Sequence, residues 1–181
     1  MSAPPTVRPA APEDAAAILA LIRRLAAFEE PAAVVALTEE TIRRDGFGPR
    51  RRFEALLAED GDGIQGLAVL LETYSSWAGA PALLIHDLFF EEGARGHGAG
   101  RALLAAAAGL ALTRGAGRLD VNVLSWNKAA RRFYETLGFL ALTGWLPHRL
   151  DGEGLRRLAG SASVPRPSDA GGGCPPGNTC S

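Results

Sequence analysis

The segment Arg95-Gly96-His97-Gly98-Ala99-Gly100-Arg101 sets glycines at alternate positions just ahead of an Ala/Leu-rich stretch. Glycines leave backbone N–H groups unobstructed, and a helix start adds about half a positive charge, so this segment can hold a phosphate or pyrophosphate. It lacks the Lys-Ser or Lys-Thr of a P-loop, which argues against nucleoside triphosphate hydrolysis. It also departs from the Gly-x-Gly-x-x-Gly of a dinucleotide turn and follows a hairpin instead of opening a βαβ unit. A loop that merely turns the chain is the plain alternative. Upstream, His86 and Asp87 interrupt the apolar run Pro81 to Phe90. Polar groups in a strand need partners, and a histidine with an ordinary pKa near ~6.5 can relay a proton close to neutral pH. A hydrogen-bonded strand histidine is the competing reading.

Elements able to position these residues follow from periodicity and caps. Ile18, Leu21, Ile22 and Leu25 recur at helical spacing behind the acidic turn Glu13-Asp14, which predicts a helix from about Asp14 to Glu29, closed by Pro31. A shorter helix should start near Thr38 and stop at Gly46-Phe47-Gly48. Phe53 to Ala58 and Ile64 to Leu71 flank Asp60-Gly61-Asp62-Gly63, the signature of a hairpin. Thr6 to Arg8, Pro81 to Phe90, Arg118 to Leu124 and Leu140 to Leu150 are further strand candidates. Gly98 to Arg114 should be a helix presenting Leu103, Leu104, Ala107, Leu110 and Ala111 on one face, and Asn127 to Leu137 a helix ended by Gly138. The pattern predicts an α/β fold with a mixed, largely antiparallel central sheet and helices on both sides. From Gly160 onward, 13 of 22 residues are Gly, Pro or Ser, so a flexible tail is expected at 159–181 and a folded domain at 1–158.

With 47 % apolar residues and a net charge of −1, the chain can bury a core and lacks the basic footprint of a nucleic-acid or polybasic membrane binder. Its most apolar stretch, Ala102 to Leu112, is far shorter than the roughly 20 residues of a membrane span. Neither a basic n-region nor an apolar h-region opens the sequence, so a cytoplasmic protein is expected. Cys174 and Cys180 both lie in the tail, away from His86, His97 and His148, and suggest neither a disulfide framework nor a metal site.

Arg95-x-x-Gly98-x-Gly100, between an apolar strand and an Ala/Leu-rich helix, resembles the Q/R-x-x-G-x-G/A motif of the GNAT family of N-acetyltransferases. Trp126-Asn127-Lys128-Ala129-Ala130, Phe133-Tyr134 and Leu137-Gly138-Phe139 are similar to a second block of that family. Val7-Arg8-Pro9-Ala10, Phe28-Glu29, Thr38-Glu39, Asp45-Gly46-Phe47-Gly48, Ser76-Trp77-Ala78-Gly79 and Asp87-Leu88-Phe89 extend the resemblance toward the diamine and thialysine acetyltransferases, over about Val7 to Leu158.

The resemblance implies direct transfer of an acetyl group from acetyl-CoA to a small primary amine, in a homodimer. It implies that the backbone of Leu88, Phe89 and Phe90 pairs with the pantetheine arm, and that Arg95, Gly96, His97, Gly98, Ala99, Gly100 and Arg101 hold the pyrophosphate. Asn127 and Ala130 would line the CoA channel, and Tyr134 would protonate the leaving thiolate. Glu29, Trp77 and Asp87 would face the amine, whose pKa near ~10.4 requires that a proton be removed before attack. His86 stands where the diamine-acetylating enzymes carry Glu, so it, or a water held by Glu29, would take that proton. Transfer to a peptide amine and a non-catalytic acyl-CoA-binding module are the other readings.

Overall fold

The computed structural model describes residues 5–94 and 98–161. The chain divides at Lys128 into two compact units. The first carries β1 (Thr6–Pro9), α1 (Ala15–Glu29), α2 (Glu39–Ile42), β2 (Glu54–Asp60), β3 (Gly63–Ser75), β4 (Ala80–Phe90), α3 (Ala99–Thr113) and β5 (Leu119–Val121). The strands form one sheet in the order β1-β2-β3-β4-β5, antiparallel throughout except for the parallel β4/β5 pair. The mixed, largely antiparallel sheet expected from the sequence is present.

Local signals explain most boundaries. The Thr38 hydroxyl accepts a hydrogen bond from the Thr41 N–H at 3.1 Å and caps α2, which runs into a single π-turn over Arg43–Phe47. At the β2/β3 hairpin the Asp60 carboxylate accepts from the Asp62 N–H at 2.9 Å, and Gly63 takes a φ of 107°.

Strand alternation sends Ala55, Leu57, Leu67 and Val69 to one face, where they form a core with Ala15, Ile18, Leu21 and Ile42 of α1 and α2. Leu56, Ala58, Ala68 and Leu70 take the opposite face, together with Gly66, where a Cβ would meet Leu103 of α3 at 3.2 Å. Helices therefore cover both faces. Fully buried residues such as Ile18, Leu57, Leu67 and Leu103 each contribute about 1.5–3 kcal/mol of hydrophobic stabilisation. No charged or polar side chain among the described residues is buried.

Two arginines tie this core at its rim through ion pairs. Arg8 of β1 grips Asp14 with two hydrogen bonds of 2.7 and 2.9 Å and reaches Glu59 at 3.0 Å. Arg114, following α3, holds Glu54 bidentately at 2.7 Å. These guanidiniums hold the Asp14 and Glu54 carboxyls below their ordinary pKa values. A depressed folded-state pKa gives stability that is present above the ordinary carboxylate range and lost as pH falls through the folded value. Stability is thus expected to hold from neutral pH down to about 5 and to decline below about 4. Arg8→Met should cost about 1–2 kcal/mol at pH 7, allowing for solvent screening, and flatten part of the acid slope. Denaturant melts at pH 7 and pH 3.5 check this. An unchanged acid slope in the variant would assign the sensitivity elsewhere.

The second unit comprises α4 (Lys128–Thr136), an irregular stretch and α5 (Gly152–Gly160). Gly138 at φ 90° reverses the chain after α4, as its sequence position predicts, and the Phe139 N–H donates back to the Tyr134 carbonyl at 3.1 Å.

Two expectations need correction. Leu140 to Leu150 forms no strand among the described residues. An alternating pattern becomes a strand only where a neighbouring edge supplies the ladder, and a turn at Gly144 and the missing N–H of Pro147 interrupt this one. The expected strand Arg118 to Leu124 shrinks to the three residues of β5. The helix α5 was not foreseen, and it runs two residues past the boundary placed at Leu158. The residues of the tail from 162, with Cys174 and Cys180, lie outside the described residues.

Candidate active site

A one-residue irregularity in β4 organises the site. Leu70 pairs with Ile85 but Val69 pairs with Asp87, so His86 is an extra residue, a β-bulge. Strand partners share a face: Ile85 follows Leu70 onto the α3 side, whereas Asp87 follows Val69 onto the α1 side. In an unbulged strand residues two apart would share a face, so the bulge is what turns Asp87 toward α1.

The same bulge marks where the sheet opens. β5 pairs with Leu83, Leu84 and Ile85 and then ends. The Glu91 N–H donates to the Gln65 carbonyl at 2.8 Å, toward β3. By alternation, the backbone groups of Phe90 and Leu88 point to the opposite edge, where β5 has ended, and those of Phe89 point to β3.

Glu29, the last residue of α1, lies near enough to Asp87 and His86 to feel their charges. The His86 Nδ1 lies 3.1 Å from an Asp87 carboxylate oxygen. Partial burial raises the Glu29 pKa, and the neighbouring Asp87 charge adds to that rise while His86 opposes it. Glu29 also borders an open cleft of about 350 Å³ with Ala26, Glu30, Ala33, Leu124 and Trp126. Ionised, Glu29 and Asp87 give this region the negative charge that a cationic molecule needs.

Downstream, Gly98 adopts a φ of 88°, a conformation that suits glycine, and starts α3. The N–H groups of Ala99, Gly100 and Arg101 belong to the first turn, so they carry its positive dipole. Ala99 and Gly100 are buried and Arg101 is exposed. Arg95, Gly96 and His97 lie outside the described residues.

The remaining candidates are spread over both units. Asn127 directly precedes α4 in the first unit. In the second, Ala130 and Tyr134 are one turn apart on the same face of α4, and the buried Tyr134 ring lies 5.6 Å from Phe133 and 5.5 Å from Phe139. Trp77 is not brought to Glu29 and Asp87. It sits 94 % exposed in the turn joining β3 to β4, and Ala80 at that end of β4 is seven residues, roughly 23 Å of strand, from Asp87. Sequence reasoning missed the bulge and the cleft residues Glu30 and Leu124, and gave Trp126 no role.

The pattern of the acetyltransferase (GNAT) family matches residues 19–139, about two thirds of the chain. The chain belongs to the GNAT acetyltransferase family. This acetyltransferase is 36 % identical over 165 residues to thialysine N-epsilon-acetyltransferase from Mus musculus, an alignment covering 85 % of this chain and 96 % of that one. It is 32 % identical to spermidine/spermine N(1)-acetyltransferase-like protein 1 from Homo sapiens, over 84 % of this chain and 23 % of that one. Among solved structures, the Vibrio cholerae integron cassette protein VCH_CASS6 superposes with a TM-score of 0.72 at 22 % identity, over 88 % of this chain and 99 % of that one, a likeness of fold. Its α/β fold, with an open five-stranded sheet between helices, is GNAT-like.

Proposed function

We propose that this acetyltransferase moves an acetyl group from acetyl-CoA directly to a small primary amine of the diamine, polyamine or thialysine-like class. The observation that carries the reading is the bulge at His86, which turns Asp87 to the α1 side, where Glu29 feels its charge, just past the end of pairing with β5.

The residues fit the donor. In this reading the backbone of Leu88 and Phe90 pairs with the amide-bearing pantetheine arm. The first turn of α3 suits a pyrophosphate, with Arg101 beside it. Arg95, Gly96 and His97 complete that cradle in the proposal, and Phe89 supports the strand from within, packed against the α1 core. Asn127 and Ala130 line the arm. Acetyl-CoA supplies an activated thioester carbonyl.

The chain's own groups then divide the work. Ionised Glu29 and Asp87 attract the alkylammonium. His86, oriented by Asp87 through Nδ1, takes a proton from it, directly or through a water held by Glu29. Backbone N–H groups at the open edge stabilise negative charge on the carbonyl oxygen. Tyr134 donates its phenolic proton to the departing sulfur. The proposal also includes a homodimer. Leu140, Leu142, Trp145, Leu146, Leu150, Leu155 and Leu158 are each more than half exposed, a concentration of apolar surface that association would cover.

The test is release of CoA thiol from acetyl-CoA across diamines, polyamines, thialysine, lysine and peptides. Release that depends on a small amine is expected. Release with peptides alone would replace the acceptor class, and tight acetyl-CoA binding without release would replace transfer by binding.

A further inference from the structure

The cleft at the end of α1 carries a feature that transfer to a single amine does not require. It is lined by Trp126, whose indole makes a tilted contact with Phe28 at 5.8 Å between ring centroids. The loop behind it is fastened by the Asn127 N–H to the Leu124 carbonyl at 2.9 Å and the Lys128 N–H to the Trp126 carbonyl at 2.8 Å. Glu29 and Glu30 line the same cleft. The Ala33 N–H donates to the Glu30 carbonyl at 2.8 Å, so the chain turns there and keeps Glu30 at the mouth. Among the described residues, neither glutamate is ion-paired with an Arg or Lys, and the nearby Arg24 is engaged by Glu91.

Glu29 links two places: it responds to Asp87 and His86 on β4 and also lines the cleft with Trp126. An acceptor whose reacting nitrogen lies at the His86–Asp87 edge can therefore extend its other end past Glu29 into the cleft. What awaits it there is an aromatic face and the carboxylates of Glu29 and Glu30, neither of which is paired with an Arg or Lys among the described residues. An ammonium is attracted by both, through the ring quadrupole and through charge. A carboxylate in the same place would be repelled by Glu29 and Glu30 and would meet no Arg or Lys among the cleft residues.

We infer that Trp126 and Glu30 form a seat for a second ammonium of the acceptor and so select dicationic amines over monoamines and over amino acids bearing an α-carboxylate. This rests on the proposed transfer and deepens it, because it separates the two acceptor types named for the chain's relatives. Trp126 is a specificity residue in this scheme. It touches the end of the acceptor that does not react.

The experiment compares 1,4-diaminobutane, butylamine and lysine as acceptors for wild type, Trp126→Leu, Trp126→Phe and Glu30→Gln, with calorimetric binding of 1,4-diaminobutane measured separately. Wild type should favour the diamine over butylamine in kcat/KM. Trp126→Leu should lower that preference about tenfold, the scale of a cation–π contact, mainly through KM for the diamine, and Trp126→Phe should restore most of it. Glu30→Gln, which keeps the aromatic wall, should lower it severalfold. A preference unchanged in Trp126→Leu and Glu30→Gln overturns the seat, as does wild-type turnover of butylamine or lysine equal to that of the diamine, and either result leaves transfer standing. Trp126-dependent diamine binding without any turnover keeps the seat and removes transfer. Absence of both binding and turnover removes both.

Discussion

Tyr134→Phe should lower kcat by roughly 10²–10⁴-fold, the usual contribution of a positioned general acid, while KM for amine and acetyl-CoA shifts little. The substitution removes one oxygen and keeps the ring. Contacts with Phe133 and Phe139 are aromatic, and the Phe139 N–H bonds to the backbone of residue 134, so neither depends on the hydroxyl. A phenolic hydroxyl can donate its proton to a departing sulfur. Steady-state kinetics with thermal melts on the same preparation check this. A kcat within threefold of the wild type would show that solvent, and not Tyr134, protonates the thiolate.

Deleting His86 should produce the second large effect, through backbone geometry more than imidazole chemistry. Without the extra residue, Ile85 and Asp87 become neighbours in a regular ladder against Leu70 and Val69, each keeping its present face. The strand straightens, and β5 gains an unkinked neighbour along which pairing can extend beyond Ile85. The edge groups of Leu88 and Phe90 would then be taken up by strand pairing. Acetyl-CoA affinity should fall at least about 100-fold, because several backbone hydrogen bonds of ~1 kcal/mol each disappear together. Folding should remain cooperative. His86→Ala keeps the residue count and should retain acetyl-CoA affinity while losing turnover, so calorimetry on the two variants separates geometry from proton transfer. Equal affinity loss in both would refute the geometric account.

These effects show which parts of the molecule its sequence discloses. The helices were legible because Ile18, Leu21 and Leu25, or Leu103, Leu104, Ala107 and Ala111, repeat at a helical period, and Thr38 and Gly138 mark their ends. The first hairpin was legible from its Asp-Gly pairs. The bulge was not, since Leu83 to Phe90 is nearly continuous in apolar residues and shows no alternation whose reversal could be seen. Leu140 and Leu142 alternate correctly yet make no strand, because pairing is a property of neighbours and not of the segment. For α5, Gly152, Gly154 and Gly160 lower the helix propensity of a nine-residue stretch and conceal it. At the site, Glu29 and Asp87 were singled out by motif resemblance, and the Asp87 charge reaches Glu29. Trp126 and Glu30 become neighbours only through the fold, which no spacing along the chain reveals.

The apolar composition of the core has a consequence for how such a protein can change. Every carboxylate and imidazole gathered near the end of β4 lies outside the buried set, and no buried ion pair among the described residues constrains them. Exchanging one of these groups therefore leaves no cavity and strands no charge in a low-dielectric interior, the two most common causes of large stability losses. Under the proposed function, acceptor preference and thermodynamic stability would thus be controlled by largely separate sets of residues. A lineage carrying this scaffold can trade one amine for another by steps that folding barely registers.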